Sequence, residues 1–222
     1  MIKHYLLLFL LFSYCLVCHA QWRLTSEPVS VQREYFQRFI DTGDCGDACL
    51  ELLAVARTNQ WVLPMLEPAL VELRRDEKTN HDKFLRFLFM IAGIGNKEAL
   101  DMVIRVLDGH PQKGLFVGAT LRGNMDSSSS NHFDLWYYAL EHEDRIVREA
   151  AEEVVSVQIG HPAELRQRRW AESALKRYGH PPSLSDWQSD PMMKVFWQKH
   201  PSDAPDKQKH ITALAEAIKK SK

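Results

Sequence analysis

The chain has 222 residues, of which 45% are hydrophobic and 26% charged, and a formal net charge of −1. This near-neutral balance gives no electrostatic case for binding nucleic acid or an anionic membrane surface. No apolar run reaches the ~20 residues that span a bilayer, so no membrane span is expected in the mature chain.

Lys3 precedes an almost continuous apolar run from Tyr5 to Cys18, too short to span a membrane and of the right length for the core of a signal peptide. Small Cys18 and Ala20 stand at −3 and −1 of a cut before Gln21. Residues 1–20 are therefore expected to be removed, leaving a chain of net charge −2 for the periplasm or the extracellular medium. Cys15 and Cys18 admit a lipoprotein reading, opposed by bulky Tyr14 and Val17 where a lipobox needs small residues. About 200 remaining residues suffice for one continuous core, which favours one domain.

Helical punctuation recurs through the rest of the chain, and period-two alternation is scarce. Ser26-Glu27-Pro28 opens a first helix carrying Val31, Tyr35, Phe36, Phe39 and Ile40, closed by Gly43. Asp44 or Asp47 caps a second, with Ala48, Cys49, Leu52, Leu53 and Ala56 at helical spacing. Pro64 and Pro68 predict a break, with a helix resuming at Pro68. Asn80 caps a helix from Phe84 to Ile91 that is apolar nearly all round and needs cover on more than one side. After Gly93-Ile94-Gly95, Asn96 caps the next, with Ala99, Leu100, Val103, Ile104 and Leu107 as its buried stripe. Leu115–Leu121, Phe133–Leu140, Ile146–Val157 and Pro162 to Leu175 are further helices, the last stopped by Gly179. The five prolines Pro181, Pro182, Pro191, Pro201 and Pro205 predict an irregular tail packed by Trp187, Phe196 and Trp197. Ile211, Leu214, Ala215 and Ile218 then form the apolar face of a final helix.

Only Cys45 and Cys49 survive removal of the leader. Cysteines at i and i+4 of a regular helix have Cβ atoms about 5–6 Å apart, against the ~3.8 Å of a disulfide. A bond therefore requires Cys45 to lie ahead of the helix in a distorted first turn, which Gly46 permits; the alternative is two small buried apolar residues. A lone C-x3-C without a nearby histidine pair is a poor zinc signature.

Met90-Ile91-Ala92-Gly93-Ile94-Gly95-Asn96-Lys97-Glu98-Ala99-Leu100, continuing to Val103-Ile104 and Leu107, resembles a HEAT repeat of the phycobilisome-lyase type: a helix end, an Ile-Gly-Asn turn and a second helix. Arg145-Ile146-Val147-Arg148-Glu149-Ala150-Ala151-Glu152-Glu153-Val154-Val155 is similar to the first helix of such a repeat. Together they cover about 30 residues, and the distance between them exceeds one repeat of about 40–47 residues. The resemblance implies an all-α fold: a short α-solenoid of HEAT-like helical hairpins over 21–180, with the Pro-rich segment and C-terminal helix of 181–222 packed on the same domain. The antiparallel stacking of helix pairs joined by short Gly/Asn turns leads to the same architecture.

No G-x-S-x-G, H-E-x-x-H, G-x-x-x-x-G-K-[ST] or complete G-x-G-x-x-G occurs, and no catalytic residue or cofactor is expected. His110, His161, His180 and His200 each precede a proline, and four histidines at similar corners could converge on a metal, giving an alternative reading as a metalloprotein or metal-dependent enzyme. Helix-end chemistry explains the same pattern more simply. His142-Glu143 is a single copy of the dipeptide with which deoxyhypusine hydroxylases, a HEAT-like family, hold iron; that family needs several. The charge-rich face of Arg145, Arg148, Glu149, Glu152 and Glu153, with i,i+4 pairs Glu141–Arg145 and Arg148–Glu152, is a candidate protein-binding surface, and Trp187 and Trp197 are candidates for exposed contact residues. The expected function is that of an exported helical-repeat protein that binds another protein of the cell envelope, as scaffold or inhibitor.

Overall fold

The computed structural model describes residues 23–123, 132–159 and 164–199, together with positions 209, 212 and 216. Among them every regular element is helical. The chain divides into two compact units, one ending at Val62 and the other beginning at Leu63.

In the first unit a 3-10 turn, Leu24–Ser26, leads into α1 (Val29–Thr42) and, after a second short turn at Gly46–Ala48, into α2 (Cys49–Thr58). Leu24, Phe36, Phe39, Leu52 and Val55 form its apolar centre. Buried Gln32 ties the entry down, its amide donating to the carbonyls of Leu24 (3.2 Å) and Glu27 (2.9 Å). Glu51 accepts from the Leu24 N–H at 2.9 Å. Trp61 lies edge-on to Phe36 with the Arg33 guanidinium 5.0 Å from its ring centre.

The second unit runs through α3 (Val62–Arg75), whose first residue marks the boundary, α4 (His81–Ile94), α5 (Lys97–Val106), α6 (Lys113–Arg122), α7 (His132–Leu140), α8 (Arg145–Ile159), α9 (Glu164–Tyr178), α10 (Leu184–Ser189) and α11 (Pro191–Lys199). Asn96 caps α5 as its sequence predicts, accepting from the Ala99 N–H at 2.8 Å. The predicted stops Gly43, Gly95 and Gly179, and Gly109 after α5, all have positive φ, a region that residues other than glycine seldom enter. Gly93, expected in the turn, is still helical.

Two expectations fail locally. α3 does not wait for Pro68: it begins at Val62 and passes through both prolines. Pro64 falls in the first turn, where an N–H has no helical partner to lose, and Pro68 forfeits only the bond to the Pro64 carbonyl. Buried Leu66, Leu70 and Leu73 at i, i+4, i+7 hold the helix across that gap. The segment read as irregular folds into α10 and α11. Ser183 and Asp186 make a reciprocal capping box, and Pro191 is the first residue of α11 behind its cap Asp190, so these are helix starts. Pro201, Pro205 and the apolar face of the expected final helix lie outside the described residues.

The repeat is visible in the helix starts. α4, α6 and α8 open at His81, Lys113 and Arg145, a constant step of 32 residues, and they pack side by side in one layer. The pair α6–α7 fills the interval between residues 90–107 and 145–155. The second layer is joined by polar bonds between successive members: Arg105 of α5 with Glu67 of α3, Tyr138 of α7 with Asp101 of α5 at 2.6 Å, and Lys176 of α9 with Asp134 of α7 at 2.7 Å. Between the layers lie fully buried Leu88, Ile91, Leu100, Val103, Leu107, Val117, Val147, Ala151 and Val154. α11 packs on α7 and α8, so the C-terminal pair belongs to this unit.

Candidate functional site

The outer side of the α4–α6–α8 layer carries apolar residues that none of the described residues covers. Phe89 is 60% exposed, Leu115 60%, Ile146 39% and Val157 58%. Three of these form a band across the neighbouring helices α4, α6 and α8. The Phe89 ring lies 5.3 Å from that of Phe116, Leu115 is the next residue back, and Ile146 sits over Gly114, where an added Cβ would be 3.4 Å from its Cγ2. α4 is thus buried on most sides, as its composition demands, yet projects Phe89 outward. Charges border the band: Arg145 pairs with Glu149 at 3.3 Å and Arg122 with Glu153 at 3.8 Å.

The residues singled out from the sequence are distributed unevenly. Arg145, Glu149, Glu152 and Glu153 are exposed on α8 beside this band. Arg148 is turned away from a free role, since its guanidinium donates to the carbonyls of His142 (2.7 Å) and Glu143 (2.6 Å) and so fastens the start of α8 to the preceding loop. Glu141 pairs with Arg177 of α9 instead of Arg145. Trp187, expected at the surface, is fully buried against Trp170 with ring centres 6.0 Å apart. Burial follows from α10 and α11 being ordered helices that fold its side beneath them. Trp197 on α11 is part-exposed. Phe89, Leu115 and Val157 were not singled out because an apolar residue in a helix reads as core until its neighbours are known.

Of the four corner histidines only His110 and His180 are described, and these two do not come together. His110 is buried, with Nε2 3.1 and 3.2 Å from the Glu77 carboxylate oxygens and Nδ1 accepting from the Gln112 N–H at 3.1 Å. Since Nδ1 accepts, Nε2–H is the donor of a hydrogen bond to the Glu77 carboxylate. His142 repeats the motif one corner later, its Nδ1 accepting from the Asp144 N–H at 3.0 Å. His180 is exposed, and His161 and His200 lie outside the described residues. Among the described residues no group of three or more His, Cys, Asp or Glu side chains converges to hold a metal ion.

Two buried polar centres brace this surface from behind. Lys113, 2% exposed at the start of α6, reaches Asp144 at 2.5 Å and Asp108 at 3.3 Å, linking the loops that enter α6 and α8. Burial works against the Lys113 charge, but hydrogen bonds to Asp144 and Asp108 outweigh it and raise the pKa, while Lys113 holds Asp144 below the usual carboxylate range. Under α11, buried Asp190 accepts from the Tyr137 hydroxyl at 2.5 Å, the Tyr178 hydroxyl at 3.1 Å and the backbone N–H groups of Met192 and Met193 at 3.0 and 3.1 Å. Burial pushes the Asp190 carboxyl up despite these donors, and the Tyr178 hydroxyl is pushed up to about 12 by its own burial and by the charge of Asp190.

No protein-family model matches the chain, and neither any curated protein nor any solved structure is detectably similar to it.

In the first unit Cys45 and Cys49 are joined as a disulfide, with Cα atoms 4.9 Å apart. Cys45 precedes the Gly46–Ala48 turn, Gly46 takes φ +49°, and Cys49 opens α2, the displaced first turn that the spacing requires.

Proposed function

We propose that the chain is an exported, HEAT-like helical-repeat protein that binds another protein of the cell envelope through the outer side of α4, α6 and α8. The observation that carries this reading is the exposure of Phe89, Leu115 and Ile146 on three neighbouring helices, with charged residues beside them. Large apolar side chains left in water forgo about 1.5–3 kcal/mol each, and a contiguous group rimmed by charge is the composition of a protein contact. Arg145, Glu149 and Glu153 supply orientation and association rate, the usual contribution of rim charges. The signal sequence provides the route, and cleavage before Gln21 is read directly as the N-terminal residue of protein extracted from the envelope.

The test is affinity capture from the native envelope with wild type and with Phe89→Asp and Leu115→Asp. Both substitutions lie at exposed positions, so melting should be unchanged to within about 0.5 kcal/mol. A partner retained by wild type and lost by both variants is the expected outcome. Retention of the same partner by both variants at unchanged stability removes this face as the binding site.

A further inference from the structure

We propose that the Cys45–Cys49 disulfide is an exchange site for the thiols of basic, cysteine-containing polypeptides. As a staple the bond is redundant. It ties a turn to the helix that immediately follows, and the hydrogen bond from the Ala48 N–H to the Cys45 carbonyl, at 2.9 Å, already closes that same turn. As a reactive group it is well placed. Both cysteines are part-exposed, and the space beside Gly46 is open, a Cβ built there meeting nothing within 4 Å. Cys45 lines a surface groove with Tyr35, Arg38, Asp47 and Leu50, and Leu50 is 80% exposed, an apolar landing for a chain lying along the groove.

The chemistry divides between the two sulfurs. A substrate thiolate attacks Sγ of Cys45 and forms a mixed disulfide. The S–S bond breaks, and Cys49 leaves as a thiolate at the first residue of α2, where the positive end of the helix stabilises the charge. A second thiol of the same polypeptide then attacks the substrate sulfur of the mixed disulfide, releasing Cys45 and a substrate disulfide. Two substrate thiols are oxidised, one protein disulfide is reduced, and two protons pass to the protein thiols and solvent. The groove's charged residues are three carboxylates, Asp44, Asp47 and Glu51, and one guanidinium, Arg38. That balance repels thiolates carried on acidic segments and draws in those carried on basic ones.

The experiment uses the oxidised full-length protein and two dithiol peptides of equal length, one with lysines flanking its cysteines and one with glutamates. Oxidation of each peptide to its disulfide is followed by mass at low and high salt. The lysine peptide should reduce the disulfide at least about tenfold faster than the glutamate peptide, with the ratio collapsing at high salt. Cys49→Ser, which has no disulfide to give up, should oxidise neither peptide. The inference is overturned if the disulfide survives excess lysine peptide under conditions that reduce a linear reference disulfide, or if both peptides react at one salt-independent rate. Both of those readings come from the wild-type protein and so stand whether or not the variant folds.

Discussion

At the corner between α6 and α8 a buried cation, Lys113, is answered by the carboxylates of Asp144 and Asp108, whereas beneath α11 the buried carboxylate Asp190 is answered by two phenols and two backbone N–H groups. The first arrangement keeps opposite charges together, so each stabilises the ionised form of the other. The second supplies donors without charge, and burial then raises the carboxyl pKa. The two centres also hold different things. Lys113 couples successive corners of the stack, while Asp190 caps α11 and docks it on α7 and α9 through Tyr137 and Tyr178. Hydroxyl donors suffice to position a helix, but a buried lysine demands a countercharge.

The largest effect is expected from removing that countercharge. Asp144→Ala should destabilise the protein by about 3–5 kcal/mol in denaturant titration, because Lys113 is left buried beside only the exposed Asp108. Lys113→Met should cost much less, since an apolar chain of similar length fills the space and Asp144 retains access to water. Equal losses in the two variants would show that the pair stabilises the fold outright and does not merely avoid an unpaired charge.

A smaller loss, about 2–4 kcal/mol, is expected for Asp190→Ala, which removes a helix cap and strands the Tyr137 hydroxyl. Asp190→Asn should lose less, because its amide oxygen still accepts from Met192 and Met193. If Asp190→Ala matched wild type in denaturant titration, α11 would be held by apolar packing through Met192, Val195 and Phe196 alone.

The smallest and most discriminating difference lies in pH. The folded pKa of Asp144 is depressed, so its contribution is present above about pH 3.9 and is lost as pH falls through the folded value. That of Asp190 is raised, so ionisation in the folded state carries a penalty at neutral pH that is relieved as pH falls from the folded value towards about 3.9. The two therefore give slopes of opposite sign in stability against pH. Asp190→Asn should abolish the gain on mild acidification, and Asp144→Asn should flatten the loss at lower pH. Identical curves for wild type and Asp190→Asn would mean that Asp190 titrates alike in the folded and unfolded chains.

Helix positions were legible wherever local chemistry fixes them. Asn96 caps, Gly43, Gly95 and Gly179 terminate, and of the expected stripe Ala99, Leu100, Val103 and Leu107 are buried at helical spacing while Ile104 is half-buried. The displaced Cys45 was legible for the same reason: two cysteines four apart cannot bond inside a regular helix. Pro64, Pro68 and Pro191 were misread because proline breaks a helix at some positions and starts one at others, and the choice depends on which apolar residues find cover. Part of the candidate site was legible and part was not. The charges of α8 stand out by composition, but Phe89 and Trp187 look alike in a sequence, each an aromatic residue among apolar neighbours.

By itself the sequence determined the helices of the described residues, their turns and the burial of Leu107, all of which rest on interactions within a few residues, and it left the pairing of Cys45 with Cys49 as one of two readings. Tertiary structure alone decided that Phe89 faces outward while Trp187 is enclosed, that Arg148 is spent on the carbonyls of His142 and Glu143, and that Lys113 and Asp190 find partners 31 and 53 residues away. Exposure and long-range pairing depend on which helix lies alongside, and the 32-residue step brings distant segments into register only once the layers have stacked.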